Sequence, residues 1–540
     1  MERHYATLWE AIADVNGDRD AVVCGDNRRN WSQYEKRAAQ LASAFTEAGL
    51  EPDSKVGLYL YNGNEYLESQ FAAMKQRCVA VNINYRYIDD ELLYLLENSD
   101  SEVLIFHSSL GERVERIMPR ASGVKLWVQV DDGGAAVPGA VAYEELIAAH
   151  DPAPRIRREE SDIYMLYTGG TTGMPKGVMY DIGGMLQGFI QMAFPMTGLG
   201  TPAVDDIPEL TSQLWEKGEG LISIPACPLM HGTGMWLGAI VPHCAGARVV
   251  TLTGRSFDAA ELWQTAQQER ATQLVIVGDA FAKPMLSALE AAREAGRPFD
   301  LSTLKLMVSS GVMWTSEVKQ QLLDWHPFLL IDAMGSTEGG MGTQITSRGN
   351  VGETAKFAMN PTTKVFAADG REIEPGSEEA GMVAAGGSVP LGYFKDEAKS
   401  EATFKTIDGV RYSFPGDWAR VEADGSLTLL GRGSNCINTA GEKVYPEEVE
   451  EAVKQHPDVV DCLVVGVEDE KFGQRVTGVA SLREGSGADG EALRAFARTK
   501  LAAFKAPKQL FVVETVQRAA NGKADYGWAK EAVEKLLETS

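Results

Sequence analysis

Leu166-Tyr-Thr-Gly-Gly-Thr-Thr-Gly-Met-Pro-Lys-Gly-Val178 crowds four glycines, three threonines and one lysine into a short stretch led in by the apolar Tyr164, Met165 and Leu166. Glycine lets a backbone approach a ligand closely and adopt positive φ. Successive exposed N–H groups and threonine hydroxyls then make a concave anion site. A polyphosphate is the natural occupant; taken alone, the stretch also reads as a glycine-rich surface turn. A Walker A loop needs Gly, four residues, then Gly-Lys-Ser/Thr. Here Pro175 precedes Lys176 and Gly177 follows it. The companions of a kinase glycine loop are missing as well.

Outward from this stretch, strand and helix patterns alternate. Lys55–Tyr61 reads as a buried strand, Glu65–Lys75 as a helix, Val79–Ile83 as a strand, Asp89–Asn98 as a helix and Glu102–Phe106 as a strand. The rhythm returns at Ala271–Val277, Lys305–Ser309 and Leu329–Ile331. It indicates layered α/β architecture with largely parallel strands. Gly198–Gly220, rich in Pro, Gly and acids, reads as a surface insertion or lid-like loop. A turn-rich β region follows, with Asp424-Gly425 as a hairpin turn. Gly431-Arg-Gly-Ser434 looks like a boundary. Beyond it a smaller unit is expected, with helices at Pro446–Gln455 and Gly490–Leu501 and strands at Cys462–Val467 and Val476–Leu482.

Several short motifs carry chemistry. Asp332-Ala-Met-Gly-Ser-Thr-Glu338 follows a strand, where α/β sheets place ligands. Glu338 offers oxygen to Mg²⁺, whose other ligands would be phosphate oxygens and water. Thr337 offers a donor to an α-phosphate. A capped turn with a solvated glutamate is the plain alternative. Ser309-Ser-Gly-Val-Met313 ends another strand, and Tyr412-Ser-Phe-Pro-Gly-Asp417 sets one acid after a Pro-Gly turn. Pro446-Glu-Glu-Val-Glu450 is a helix start with Pro at N1 and acids in the first turn. His231 sits in Pro228-Leu-Met-His-Gly-Thr-Gly234, and Lys523 ends Arg518-Ala-Ala-Asn-Gly-Lys523. Alone, that histidine reads as a core group and that lysine as solvated surface.

Together and in this order, the motifs closely resemble those of the adenylate-forming superfamily, over almost the whole chain. The resemblance implies an α/β fold: a large N-terminal domain of layered α/β sheets plus a β-barrel-like subdomain, with a small mobile α+β C-terminal domain. The implied limits are 1–431 for the adenylation domain, 432–434 for the hinge and 435–540 for the C-terminal domain. The implied activity is that of an ATP-dependent, AMP-forming acyl-CoA ligase, with ATP, Mg²⁺ and coenzyme A.

The same resemblance implies residue roles. Thr168, Gly169, Gly170, Thr171, Thr172, Gly173 and Lys176 would hold the β/γ-phosphates, with Thr168 and Glu338 toward the metal. Ser310, Gly311 and Val312 would wall the adenine pocket. Asp332, Met334, Gly335, Ser336 and Thr337 would line the nucleotide, with Met334 where the family commonly has an aromatic. Asp417 would accept the ribose hydroxyls, and Arg432 would bind ribose or phosphate. Gly441, Glu442 and Lys443 would approach the pantetheine channel. His231 would lie beside the substrate carboxylate, and Lys523 would be the catalytic lysine. Ser434 stands where the family carries a charged pivot.

The resemblance implies a small-molecule carboxylic acid as substrate. Similarity in the TGGTTGMPKGVM loop, Asn82–Tyr87 (NINYRY), GRGS and GEKVYPEEVEEAV points to bacterial ligases of steroid side-chain and fatty acids. Long-chain, sterol-derived, terpenoid and short-chain acids stay open. Gly339-Gly-Met-Gly342 would leave room for a bulky acyl group, whereas Trp236 would narrow the pocket. The rival readings are an adenylating enzyme with another acceptor, such as a carrier protein, a luciferase-like oxygenase, or a non-catalytic nucleotide-binding homologue.

Bulk properties bound these readings. The chain has 540 residues, enough for two or more domains, and its 44% hydrophobic content suffices for large cores. A net charge of −25 argues against nucleic acid as partner. Six scattered cysteines without a Cys-x-x-Cys pair, and no leader-like N-terminus or run of about twenty apolar residues, point to a cytoplasmic protein without a transmembrane segment. A homodimer is one assembly the chain permits.

Overall fold

The strand Lys55–Tyr59 and the helix Asn64–Lys75 begin a repeating strand–helix order that runs through the first two-thirds of the chain. This computed structural model describes all residues except 171–172, 195–198, 440–441, 470–472, 502, 504, 520–521 and 539–540. By packing, the chain divides into two units: 1–340 with 345–351 and 386–413, and 341–344 with 352–385 and 414–540.

In the first unit, Lys55–Tyr59 pairs in parallel with Val79–Asn82 and with Ser101–His107, which in turn pairs in parallel with Leu126–Val130. Alternation along the strand distributes its side chains. Val56 and Leu58 join a core with Trp9, Phe71 and Val22, whereas Tyr59 packs on the other side with Val79 and Leu104. A second parallel series runs Arg248–Thr251, Ile222–Pro225, Gln273–Ile276, Leu306–Ser310 and Leu329–Ser336. Because these strands are parallel, their C-terminal ends open on one side of the sheet, the side on which such sheets place ligands.

Two expectations change. Leu329–Ser336 continues five residues past Ile331, so Asp332 to Ser336 lie within the strand. Gly198–Gly220 is not simply a loop: Ile207–Glu216 is a helix that buries Ile207, Pro208, Thr211 and Leu214. The Thr211 hydroxyl accepts a 2.8 Å hydrogen bond from Asn16 Nδ2. The short i, i+3, i+7 apolar spacing of Ile207, Leu210 and Leu214 outweighs the flanking Gly and Pro.

In the second unit, antiparallel strands run Lys356–Met359, Ser426–Arg432, Asp417–Val421 and Gly381–Ala385, with Thr363–Phe366 beside the last. Gly425 stands at φ +79 in the expected hairpin turn. Its C-terminal part is a sheet whose strand Val459–Asp469 buries alternate residues on opposite faces. Cys462 and Val464 pack with Val449, Val453, Leu493 and Ala497, while Leu463 and Val465 pack with Ala529 and Val533. Helices Pro446–Lys454 and Gly490–Lys500 thus cover one face and Tyr526–Glu538 the other.

Candidate active site

The glycine-threonine stretch folds as the end of a β-hairpin, not as a strand-to-helix loop. Ile163–Gly170 pairs antiparallel with Gly173–Asp181, setting Thr168 opposite Lys176 and Gly170 opposite Gly173. Thr171 and Thr172 lie outside the described residues. The short strand Gly392–Tyr393 adds to the hairpin's other edge, with Tyr393 opposite Val178. Lys176 Nζ lies 2.9 Å from Asp396 Oδ2 and 5.6 Å from the centre of the Tyr393 ring. The Lys176 ammonium holds the Asp396 carboxyl below the usual carboxylate range.

Thr337 and Glu338 form the turn between Leu329–Ser336 and Gly339–Thr346. Tyr393 Oη donates to Glu338 Oε1 at 2.9 Å, and Tyr180 Oη donates to the Thr337 carbonyl at 2.9 Å. The Tyr180 phenol is pushed well up, first by burial and then by the Glu338 charge. The hairpin lysine and the Thr337-Glu338 turn therefore meet at Tyr393.

The contacts continue from there. Tyr180 packs edge-on against Trp236, with ring centres 6.1 Å apart. Trp236 donates its indole N–H to Tyr164 Oη at 2.9 Å and lies against Phe189. Trp236 belongs to Thr233–Ile240, which winds as a π-helix, a form frequent at functional sites. His231, half-buried, sits just before it and accepts from Met235 N through its carbonyl at 2.9 Å. Gly311 stands at φ +91, and a Cβ placed there would lie 3.6 Å from Thr233 Oγ1. Only glycine takes that conformation without strain. Ser310 Oγ donates to the Ala333 carbonyl at 2.7 Å, tying neighbouring strand ends together. The first unit thus assembles the glycine-threonine hairpin, Ser310-Gly311, the His231 turn and Thr337-Glu338 into one continuous neighbourhood.

Asp332 faces elsewhere. Its carboxylate is buried and accepts from Lys319 Nζ at 2.8 Å. Burial pushes the carboxyl up, and the ammonium opposes that shift. Met334, two residues on, is likewise buried. Gly335, Ser336 and Thr337 are half-exposed.

Two asparagines absent from the residue roles expected above hold this neighbourhood together. Asn82, 8% exposed, donates to the carbonyls of Tyr167 and Met230 at 2.8 and 2.7 Å and accepts from Tyr167 N at 2.6 Å. It joins the segment before Thr168 to the segment before His231. Asn62 donates to the Cys227 carbonyl and accepts from Leu229 N at 2.8 Å. Asn82 stood in the sequence as part of NINYRY, but nothing local announces which carbonyls it serves.

The remaining expected residues lie in the second unit. Asp417 and Arg432 are opposite one another on paired strands, with Arg432 Nε 3.6 Å from Asp417 Oδ1. Gly431, at φ +118, has the Glu447 carboxylate where a side chain would stand. Glu447 also accepts from Arg432 N at 3.5 Å, and burial pushes its carboxyl up to about 7. Glu442 and Lys443 lie in the strand Glu442–Val444, and Gly441 is outside the described residues. Lys523 is exposed at the end of a braced turn. Gly522 N donates to the Ala519 carbonyl and Ala519 N to the Lys523 carbonyl, at 2.8 and 2.9 Å. Arg518 grips Asp461 through two bonds of 2.6 and 2.8 Å and donates to the Gly522 carbonyl at 3.2 Å.

In the first unit, Asp396→Asn is expected to release Lys176 while keeping the cap on helix Glu397–Thr403, since asparagine caps as well as aspartate. The ion pair is about one-third exposed on each side and so is worth at most about 1 kcal/mol. ATP binding should tighten by roughly threefold to fivefold. Calorimetric titration checks this; weaker binding would mean that Asp396 assists the nucleotide.

Comparison with known proteins places the chain. The sequence model of the AMP-binding enzyme family matches residues 9–394, and that of the AMP-binding enzyme C-terminal domain matches residues 448–523. The chain is 42% identical to a 3-oxocholest-4-en-26-oate--CoA ligase of Rhodococcus rhodochrous, covering 98% of this chain and 96% of that one. It is 39% identical to a medium/long-chain-fatty-acid--CoA/3-oxocholest-4-en-26-oate--CoA ligase of Mycolicibacterium smegmatis, covering 99% and 97%. Among solved structures, the anthranilate CoA ligase AuaEII in complex with anthranoyl-AMP superposes with a TM-score of 0.83 at 21% identity, covering 99% and 98%. That last likeness establishes the fold.

Proposed function

Since this chain belongs to the AMP-binding enzyme family, we propose a role for each part of the site in the family's two-step chemistry. The chain is an ATP-dependent, AMP-forming acyl-CoA ligase. A thiol does not displace oxide from a free carboxylate, so the acid is first activated. A carboxylate oxygen attacks the α-phosphorus, a P–O bond forms, and pyrophosphate leaves with the electrons of the broken bond. The thiolate of coenzyme A then attacks the acyl carbon, and AMP departs.

Positioning and charge neutralisation supply most of the acceleration in such steps. In our reading the 168–173 backbone, the threonine hydroxyls and Lys176 hold the β/γ-phosphates, and Thr337 donates to the α-phosphate. Mg²⁺, when bound, neutralises charge on the polyphosphate. Glu338 would hold it, with Thr168 nearby. The donor set suits a hard cation, because it is oxygen throughout. Ser310 to Val312 and Met334 to Ser336 would border the base. Asp332 would act from beneath, by fixing its strand through Lys319. Asp417 and Arg432 would bind ribose and phosphate, Gly441 to Lys443 the pantetheine arm, and His231 the substrate carboxylate. Lys523 would bridge the carboxylate and the α-phosphate, and a turn about 432–434 would withdraw it before thioester formation.

The observation that carries this reading is the meeting of Lys176 and the Thr337-Glu338 turn at one tyrosine ring. For the acid, the reading favours steroid side-chain acids and medium- to long-chain fatty acids. The two relatives quoted above, alike over nearly the whole chain, support it. Trp236 is tied to Tyr164, so its indole is held in place. The six cysteines are free thiols, as suits a cytoplasmic setting, and the chain is compatible with a homodimer.

A panel of carboxylic acids assayed for coenzyme A-dependent AMP production tests the substrate. Steroid side-chain acids and fatty acids of medium length or longer should be the best substrates. Activity confined to short-chain acids would overturn the choice of acid. AMP release independent of coenzyme A would point to another acceptor.

A further inference from the structure

We propose that Tyr393 is a positioning residue that presets Glu338 for the metal-bearing end of the nucleotide; this rests on the roles proposed above for Glu338 and Lys176. Tyr393 is 7% exposed and anchored through both backbone and ring. Its strand is stitched to the phosphate hairpin by Leu391 N to Met179 O at 2.7 Å and Phe394 N to Gly177 O at 2.8 Å. Tyr393 N donates to Ser400 Oγ at 2.8 Å, and its ring packs on Phe404 with centres 5.3 Å apart. The phenol oxygen is therefore a fixed point in space.

Glu338, by contrast, sits in a turn, where a glutamate side chain has several rotamers and loses their entropy on binding a ligand. The 2.9 Å bond from Tyr393 to Oε1 selects one arrangement in advance. It does so with a neutral donor. A lysine or arginine in that place would offset the negative charge that a cation needs, whereas a phenol fixes the carboxylate and leaves its charge intact. The second carboxylate oxygen keeps its acceptor capacity. The cation that is present, Lys176, is kept on the face of the same ring and held by Asp396, so it does not neutralise Glu338 directly. One short segment, Gly392–Asp396, thus sets the carboxylate and the lysine apart, with the polyphosphate expected between them.

Tyr393→Phe in the full-length protein tests this, because the ring and its packing on Phe404 survive. ATP binding is measured by calorimetry without acid substrate, in Mg²⁺ and in EDTA, alongside a Mg²⁺ titration of pyrophosphate release and a melting curve. Loss of one hydrogen bond to a charged group predicts about a tenfold rise in half-saturating Mg²⁺ and about a tenfold loss of the Mg²⁺-dependent gain in ATP affinity. ATP binding in EDTA, the melting temperature and kcat at saturating Mg²⁺ should stay within about threefold or a few degrees of the wild type. An unchanged Mg²⁺ dependence overturns the proposal. So does an equal loss of ATP binding in Mg²⁺ and EDTA, the mark of a merely structural role. Glu338→Gln separates the two layers of argument. If it retains wild-type Mg²⁺ dependence, the metal role of Glu338 is wrong; if it loses that dependence while Tyr393→Phe keeps it, only the inference about Tyr393 falls.

Discussion

Lys523→Ala is expected to lower the rate of acyl-adenylate formation by about a hundredfold to a thousandfold, as removal of a charge-stabilising donor does elsewhere. Thioester formation from presynthesised acyl-adenylate should stay within a few-fold of the wild type, because that step does not expel pyrophosphate. The asymmetry is the informative part. The side chain is exposed, and the turn beneath it is held by Arg518, Asp461 and backbone bonds, so truncation leaves its support in place. Single-turnover measurement of each half-reaction checks this. Equal losses in both half-reactions of a folded variant would remove Lys523 from the adenylation step.

Lys319→Met is expected to have the second large effect, on stability. Lys319 and Asp332 are 1% and 7% exposed at their side chains and 2.8 Å apart. Removing one member of a buried ion pair leaves an uncompensated charge and costs about 3–5 kcal/mol. Replacing both members, as Lys319→Met with Asp332→Leu, should recover most of that loss, since apolar substitution of a whole pair is often neutral. Chemical unfolding monitored by tryptophan fluorescence checks both. Trp314, whose ring centre is 5.3 Å from Lys319 Nζ, is a nearby probe. An unchanged midpoint in the single variant would show that Asp332 has another partner sufficient to hold it.

The Asp332 pair also shows what a sequence conceals. Asp332 stands among hydroxyls and glycines after an apolar strand, and by that local standard it belongs to the ligand. Its partner is 13 residues upstream, on a helix. The pairing is fixed by how that helix packs, which no local spacing encodes. Tyr393 and Glu338 are 55 residues apart and meet for the same kind of reason. Local rules did locate much else. Lys55–Tyr59 is a strand because its apolar run has strand length, and Pro446–Lys454 is a helix because Pro at N1 and two acids favour its start. The composition of the glycine-threonine stretch raises the expectation of an anion site, but does not reveal that it is the end of a hairpin. The Thr168–Lys176 pairing depends on register across the turn. In Gly198–Gly220, the abundance of turn-forming residues masked a helix of only three turns.

The wide winding of Thr233–Ile240 bears on how the surroundings of Trp236 diversify. Relative to an ordinary helix it accommodates an inserted residue. Loss of a single codon there would let the segment tighten to an ordinary helix while its flanks keep their orientation, changing only the side chains that the wide turn itself presents. Selection thereby has an inexpensive lever on which side chains this segment presents, while the surrounding sheets keep their register.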